Sequence, residues 1–523
     1  MKADPPGARA PLPLRLAVLL LALAFVFGMA VTFGDGSYDW DIDHEIYFGQ
    51  RFLAGELIWT QGFHDKLPFA QIAFSIPARF DDSITVVRLL SLVSVVLGAL
   101  SIVVILPKIA DLSALPVARR GWALAFGALL FACLGVLQIS GLTSVNPDAA
   151  SFALIATLLM LWTMWRPGLS GPALALALLA GSVFAAASIS LRPYFIAPLA
   201  VGFLFAAAGG PFRDRPRRAI AVPLLWVLAI AAFGFGMNLL GYVLTGQVQA
   251  FRDGLATLAS DLSSRSFVKS LAIAALKPRA VITLLAWAAV LALVLLQPRY
   301  FRSDRRAGLL LILLVAQVIA LFAFLSVNRF WAHYFHFFSG YLALAATLAV
   351  AGWMIAPSSE RGARATGAVL VGFAAIGAIW SAVILALDFG HPHEEEAALA
   401  ALRTYLDETG LRNEDVLAPT SMYFQWRLHS PIGVLPHVAN TEHICIGWWQ
   451  HVDPVASFPL PPTEPEYCRL LLSQHRPVIV EQVFAGVERY CDWAACLLPN
   501  GYTLDRQIPV SDGNGLRIYR LAP

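Results

Sequence analysis

Long apolar stretches dominate the first three-quarters of the chain, broken only by short charged connectors. A bilayer core of about 30 Å is crossed by about 20 apolar residues in helical form. Stretches of this kind lie at 14–33, 84–106, 121–140, 148–165, 172–190, 194–210, 220–244, 279–296, 308–327, 336–355 and 366–387. They predict a polytopic α-helical membrane protein of about eleven transmembrane helices, the short pair being split by Arg192. Lys2, Arg9 and Arg15 precede the first stretch, as they would in a signal peptide. Its long apolar run and the lack of a small-x-small cleavage site favour an uncleaved anchor.

The connectors set an orientation. With the N-terminus cytoplasmic, Lys108, Arg119, Arg120, Arg166, Arg213, Arg215, Arg217 and Arg218 fall in inner loops. Arg299, Arg302, Arg305, Arg306, Arg361 and Arg364 join them, and the alternate loops carry far fewer uncompensated cations. An odd span count then places the C-terminus outside. Three long segments lie on that outer side: 34–83, 245–278 and 388–523. The chain divides into a transmembrane part, 1–387, and an extracytoplasmic tail, 388–523. The tail reads as a small soluble α/β domain, with a helix at Glu394–Leu406 and strands at Val478–Val483 and Leu516–Leu521.

Composition narrows the class. Charged residues make up 14% of the chain against 58% hydrophobic, about half the charge that a soluble surface carries. That excludes an ordinary cytosolic enzyme and a disordered tail protein, and a net charge of +3 gives no footing for nucleic acid. Cys133 lies in a span, whereas Cys445, Cys468, Cys491 and Cys496 lie in the tail, where an oxidising compartment would allow up to two disulfides. A zinc site from His443, Cys445, Cys491 and Cys496 lacks any paired C-x-x-C spacing.

Candidate chemistry gathers in the first outer segment, where Asp39, Asp41, Asp43, His44 and Glu45 crowd into seven positions. Glu45–Leu57 has the spacing of an amphipathic helix along the membrane surface. His64-Asp65-Lys66-Leu67-Pro68 follows as a turn with paired charges. Two readings fit. One carboxylate acts as a general base while a second fixes it or binds a divalent cation, with Asp41, Asp43 and Asp148 as candidate ligands. Otherwise the acids merely keep the loop in water. Asn146-Pro147-Asp148 opens the fourth span, where capping alone would account for the acid. Arg192, in a short outer turn, suits a phosphate or carboxylate, or headgroups reached by snorkelling. Arg329-Phe-Trp-Ala-His333-Tyr334 leads into the tenth span and sets two cations beside interface aromatics. No Walker A loop, H-E-x-x-H or G-x-S-x-G occurs in a suitable context, which weakens ATP-driven transport, zinc proteolysis and lipase chemistry.

Together these motifs resemble the GT-C superfamily of integral-membrane glycosyltransferases, nearest its protein O-mannosyltransferase and aminoarabinose transferase branches. The family's acidic motif after the first span is matched by Asp41-Ile-Asp43-His-Glu45-Ile-Tyr47, and its interface helix by Gly49–Glu56. Its "K-P-P" segment is matched by Lys66-Leu67-Pro68, with leucine in place of the first proline. Asp148 is similar to the second acidic position, and Arg329–Tyr334 to the "R-x-x-H-Y" entry to a late span. Because the adjacent Asp-Glu of the family is spread here over Asp41, Asp43 and Glu45, the catalytic acid stays open among the three.

The resemblance implies a sugar carried on a polyprenyl phosphate and an envelope acceptor on the non-cytoplasmic face of a bacterial inner or plasma membrane. Lys66, Asp148, Arg192, Arg329, His333 and Tyr334 are the implied substrate- and phosphate-binding residues, with a divalent metal ion as an optional cofactor. The competing classes are a lipid-linked saccharide flippase or transporter and a polysaccharide polymerase or ligase. Transporters place ionisable groups near the midplane and show repeats. Here the charges sit at the outer span ends, and no repeat is visible.

Overall fold

A computed structural model describes residues 10–34, 41–60, 66–137, 142, 144–165, 169, 171–209, 216–261, 271–272, 274–276, 278–326, 332–355, 359–388, 394–418, 424, 427–428, 468–469, 471–473, 475–483, 493–511 and 514–522. Among them, nine helices are long and apolar enough to cross a membrane, and two shorter apolar helices, Pro193–Ala208 and Ala280–Leu295, join them. Each of the eleven predicted stretches overlaps one of these helices, but 220–244 runs too far: its helix ends at Asn238, and Leu240–Leu244 is a separate short helix.

The chain forms two compact units. The first comprises residues 1–34, 87–238 and 266–389 and is a helical bundle. Its helices are α1 (Leu12–Gly34), α4 (Ser83–Val104, which starts just before the unit), α5 (Val117–Leu137), α6 (Val145–Trp165), α7 (Gly171–Leu191), α8 (Ile196–Gly209), α9 (Pro216–Asn238), α11 (Pro278–Leu295), α12 (Arg305–Leu325), α13 (Ser339–Ile355) and α14 (Glu360–Asp388). α1 packs along α14 and α5, and α6 packs along α7. The centre is α13, whose span is 94% buried, with α6 at 78%. Small residues explain the central place of α13: its alanines and glycines let neighbouring backbones approach closely without a hydrophobic drive. α12 instead shows Ile312, Val315 and Ile319 on one exposed stripe and buries Leu313, Leu314, Gln317 and Leu321 on the other. An exposed aliphatic stripe of this length suits hydrocarbon, not water.

The second unit comprises residues 35–86, 239–265 and 390–523, close to the three long segments between and after the spans. It holds α2 (Asp41–Leu53), α3 (Pro68–Phe74), α10 (Val248–Asp261) and α15 (Glu394–Thr409). Four strands, β1 (Val416–Leu417), β2 (Val478–Val483), β3 (Tyr502–Ser511) and β4 (Asn514–Leu521), form a sheet of order β1-β2-β4-β3. β1 and β2 are parallel, and the other pairings are antiparallel. Tyr405 of α15 donates to Asp505 of β3 at 2.7 Å. Cys468 and Cys496 form a disulfide with Cα atoms 5.7 Å apart, while Cys445 and Cys491 lie outside the described residues.

The interface helix differs from its sequence expectation in register. It begins at Asp41 and ends at Leu53. The acids therefore occupy its first turns, where the positive end of the helix dipole favours them. Gly55 ends the helix at φ +88°, with Gly55 N–H donating to Phe52 O at 2.9 Å and Glu56 N–H to Arg51 O at 3.0 Å. That is a Schellman stop, which a residue with a Cβ adopts poorly.

Candidate functional site

Site residues fall in both units. In the second, Ile42, Ile46 and Gly49 recur at i, i+4 and i+7 and form the buried stripe of α2. Two carboxylates are buried with them, Asp43 at 5% exposure and Glu45 at 1%. Lys66 Nζ lies 3.8 Å from Glu45 Oε1, so one buried acid is countered by a buried cation. Lys66 is held near the start of α3, where Leu67 is extended, as a residue before proline must be, and Pro68 takes the first helical position. Asp41 opens α2, but its side chain lies outside the described set.

A frame of polar and aromatic contacts fixes this region. Gln71 of α3 accepts from Ile58 N–H and donates to Glu56 O, both at 2.9 Å. Trp59 N–H donates to the Tyr242 hydroxyl at 3.3 Å, and the Trp59 and Tyr242 rings each lie 5.4 Å from Phe251 of α10. Burial pushes the Tyr242 phenol up to about 12. Burial likewise pushes the Tyr47 phenol upward.

In the first unit, the start of α6 carries Asn146 and Asp148. Asp148 Oδ2 accepts from Ser91 Oγ of α4 at 2.7 Å. Asn146 is fully buried, and its Oδ1 accepts from Arg192 Nε at 2.6 Å. Arg192 is 5% exposed, within the protein rather than out among headgroups. It joins α7 to a 3₁₀ turn, Pro193–Phe195, and is extended at φ −143°, as Pro193 requires. Two residues on, the Tyr194 hydroxyl meets that of Tyr334 at 3.3 Å.

Tyr334 belongs to a 3₁₀ helix, Ala332–Phe338. Three residues per turn bring Tyr334 and Phe337 into line, and their rings stack at 5.0 Å. His333 meets the Tyr334 ring edge-on at 4.9 Å. Arg329 lies outside the described residues. Within this unit, Arg192 thus meets the start of α6 at Asn146, two residues before Asp148, and leads directly into the Tyr194–Tyr334 pair.

Ser91, Tyr194 and the buried Arg88 were not singled out from sequence. A signal existed: Arg88, Ser91, Ser94 and Ser101 are all buried polar positions on α4, an otherwise apolar span. Polar groups in a span are costly unless they face protein, so such a stripe marks the side of α4 turned to its neighbours. No group of three or more His, Cys, Asp or Glu side chains placed to hold a metal ion occurs among the described residues.

No protein-family model matches the sequence, and no curated protein matches it. The fold has solved counterparts. The crystal structure of ArnT from Cupriavidus metallidurans bound to undecaprenyl phosphate aligns with a TM-score of 0.59 at 14% identity, covering 96% of this chain and 97% of ArnT. The chain has the fold of ArnT. The apo crystal structure of the same ArnT aligns with a TM-score of 0.56 at 14% identity over the same shares of both chains. Coverage this wide carries the likeness of fold into both units.

Proposed function

We propose that the chain is an inverting membrane glycosyltransferase that moves a sugar from a polyprenyl-phosphate donor to an envelope acceptor on the non-cytoplasmic face. The reading is carried by the ArnT fold along nearly the whole chain, in a counterpart crystallised with undecaprenyl phosphate. The buried carboxylates of α2 support it further.

In this reading Asp43 or Asp41 removes the proton of an acceptor hydroxyl. The acceptor oxygen attacks the anomeric carbon as the bond from that carbon to the phosphate oxygen breaks, and polyprenyl phosphate leaves with the electron pair. Glu45, paired with Lys66, orients the ammonium toward the phosphate, and Arg192, Arg329, His333 and Tyr334 hold the phosphate and sugar. Asp148 is a further substrate-binding residue of this reading, and Asp41, Asp43 and Asp148 are the acids that would hold a divalent ion if one takes part. The N-terminus is cytoplasmic, and the tail, residues 388–523, forms a domain on the acceptor side.

The test is incubation of purified protein with labelled polyprenyl-phosphate sugars and envelope acceptors. Release of polyprenyl phosphate coupled to acceptor labelling is expected. Asp41→Asn or Asp43→Asn is expected to abolish transfer without loss of folded protein, and full activity in both would remove the assignment.

A further inference from the structure

Asn146 is a neutral amide, fully buried beside the guanidinium of Arg192. Its Oδ1 takes the Nε–H of Arg192 at 2.6 Å, while its Nδ2 is buried with no hydrogen-bond partner among the described residues. Keeping an amide buried with an idle donor costs free energy. The bond it retains goes to the edge of a guanidinium that is itself buried. Arg192 has little backbone freedom, since α7 ends at Leu191 and Pro193 fixes the extended conformation before it. A guanidinium gripped at Nε has its plane set, and the Nη groups keep one orientation with it. An acid at position 146 would set the same plane but neutralise the cation. An amide sets it without adding a negative charge.

We infer that Asn146 is a positioning residue that aligns the Arg192 guanidinium, through Nε, with the phosphate oxygens of the departing polyprenyl phosphate. This rests on the proposed function. The donor's phosphodiester carries one negative charge, and the leaving phosphate gains a second as its bond to the anomeric carbon breaks. An aligned guanidinium therefore contributes more in the transition state than in the bound donor, and its alignment acts mainly on kcat.

The test compares Asn146→Leu, Asn146→Asp and Arg192→Lys in the full-length protein, with polyprenyl phosphate and unphosphorylated polyprenol as binding probes. Asn146→Leu is expected to lower kcat about tenfold or more, with KM shifted much less. In the Arg192→Lys background, which lacks the Nε–H, the same change is expected to have no further effect. Asn146→Asp keeps the acceptor but sets a carboxylate against the cation. It is expected to weaken polyprenyl phosphate binding about tenfold and to leave polyprenol binding unchanged. If Asn146→Leu does not fold, the Asn146→Asp comparison decides alone. A wild-type kcat in Asn146→Leu, an equal loss in the Arg192→Lys background, or parallel losses for both probes in Asn146→Asp would overturn the assignment. Wild-type protein that neither transfers sugar nor binds polyprenyl phosphate would instead overturn the proposed function.

Discussion

Lys66 Nζ stands 3.8 Å from Glu45 Oε1, with only 5% and 2% of the two side chains exposed. Removing one partner of a buried ion pair takes a counter-charge from the other and costs up to about 3–5 kcal/mol, whereas removing both costs less. Lys66→Met and Glu45→Gln are each expected to lower the melting temperature of the detergent-solubilised protein. The double variant is expected to melt higher than either single one. Strictly additive losses would mean that the pair is not coupled.

The Cys468–Cys496 disulfide closes a loop with a sequence separation of 28 residues. The loop-entropy argument gives about 3–4 kcal/mol for a loop of this length. Cys468→Ser is expected to lower the melting temperature, and reductant to lower that of the wild type to match. In cells, a membrane-permeant maleimide is expected to label Cys468 and Cys496 only after reduction, because a disulfide persists on the oxidising side of the membrane. Ready labelling without reductant would reverse the proposed orientation.

Tyr519 donates to the buried Glu481 carboxylate at 3.1 Å. Its phenol is pushed up to about 12, first by burial and then by the Glu481 charge. An unfolded tyrosine ionises near 10, so the folded state holds this proton more tightly. The resulting stability is fully present below about pH 10 and is lost as pH rises toward 12. Tyr519→Phe is expected to lower stability at neutral pH by leaving Glu481 short of a donor, about 1–3 kcal/mol, and to flatten the alkaline loss. Melting curves from pH 8 to 12, beside tyrosinate absorbance, check both signs. An unchanged alkaline slope would refute the assignment.

The spans were legible because hydropathy along one helix needs no tertiary information. β2 and β4 were legible for the same local reason, as apolar runs bounded by breakers. β3 was not: Asp505, Arg506 and Pro509 interrupt its pattern, and register shifts at Leu504/Arg506 and Pro509/Ser511 break the alternation of an edge strand. β1 has only two residues, too few for a period. Asp43, Glu45 and Lys66 could be picked out as charges out of place in an apolar chain. The partners of Asp148 and Arg192 could not, because Ser91 lies 57 residues from Asp148 and Asn146 lies 46 from Arg192. Such pairings are made by helix packing, and one-dimensional spacing carries no trace of them.

Gly49 carries the contact between α2 and α3. A Cβ there would lie 2.4 Å from the Phe74 carbonyl oxygen and 2.8 Å from Ser75 N. Both obstacles are backbone, so no side chain can swing aside and the helices must separate. α3 begins two residues after Lys66, so separation draws the ammonium away from Glu45. Gly49→Ala is expected to destabilise the protein by about 1–3 kcal/mol and to reduce sugar transfer more than folded yield. Gly49→Val is expected to be worse on both counts. Gly55→Ala supplies the control. At φ +88°, with no atom within 4 Å, it meets only the backbone cost of the left-handed region, about 1–2 kcal/mol. It is expected to lower the melting temperature while transfer per folded molecule holds. Equal transfer per folded molecule in Gly49→Ala and Gly55→Ala would mean that the spacing of α2 and α3 does not set the geometry of the Glu45–Lys66 pair.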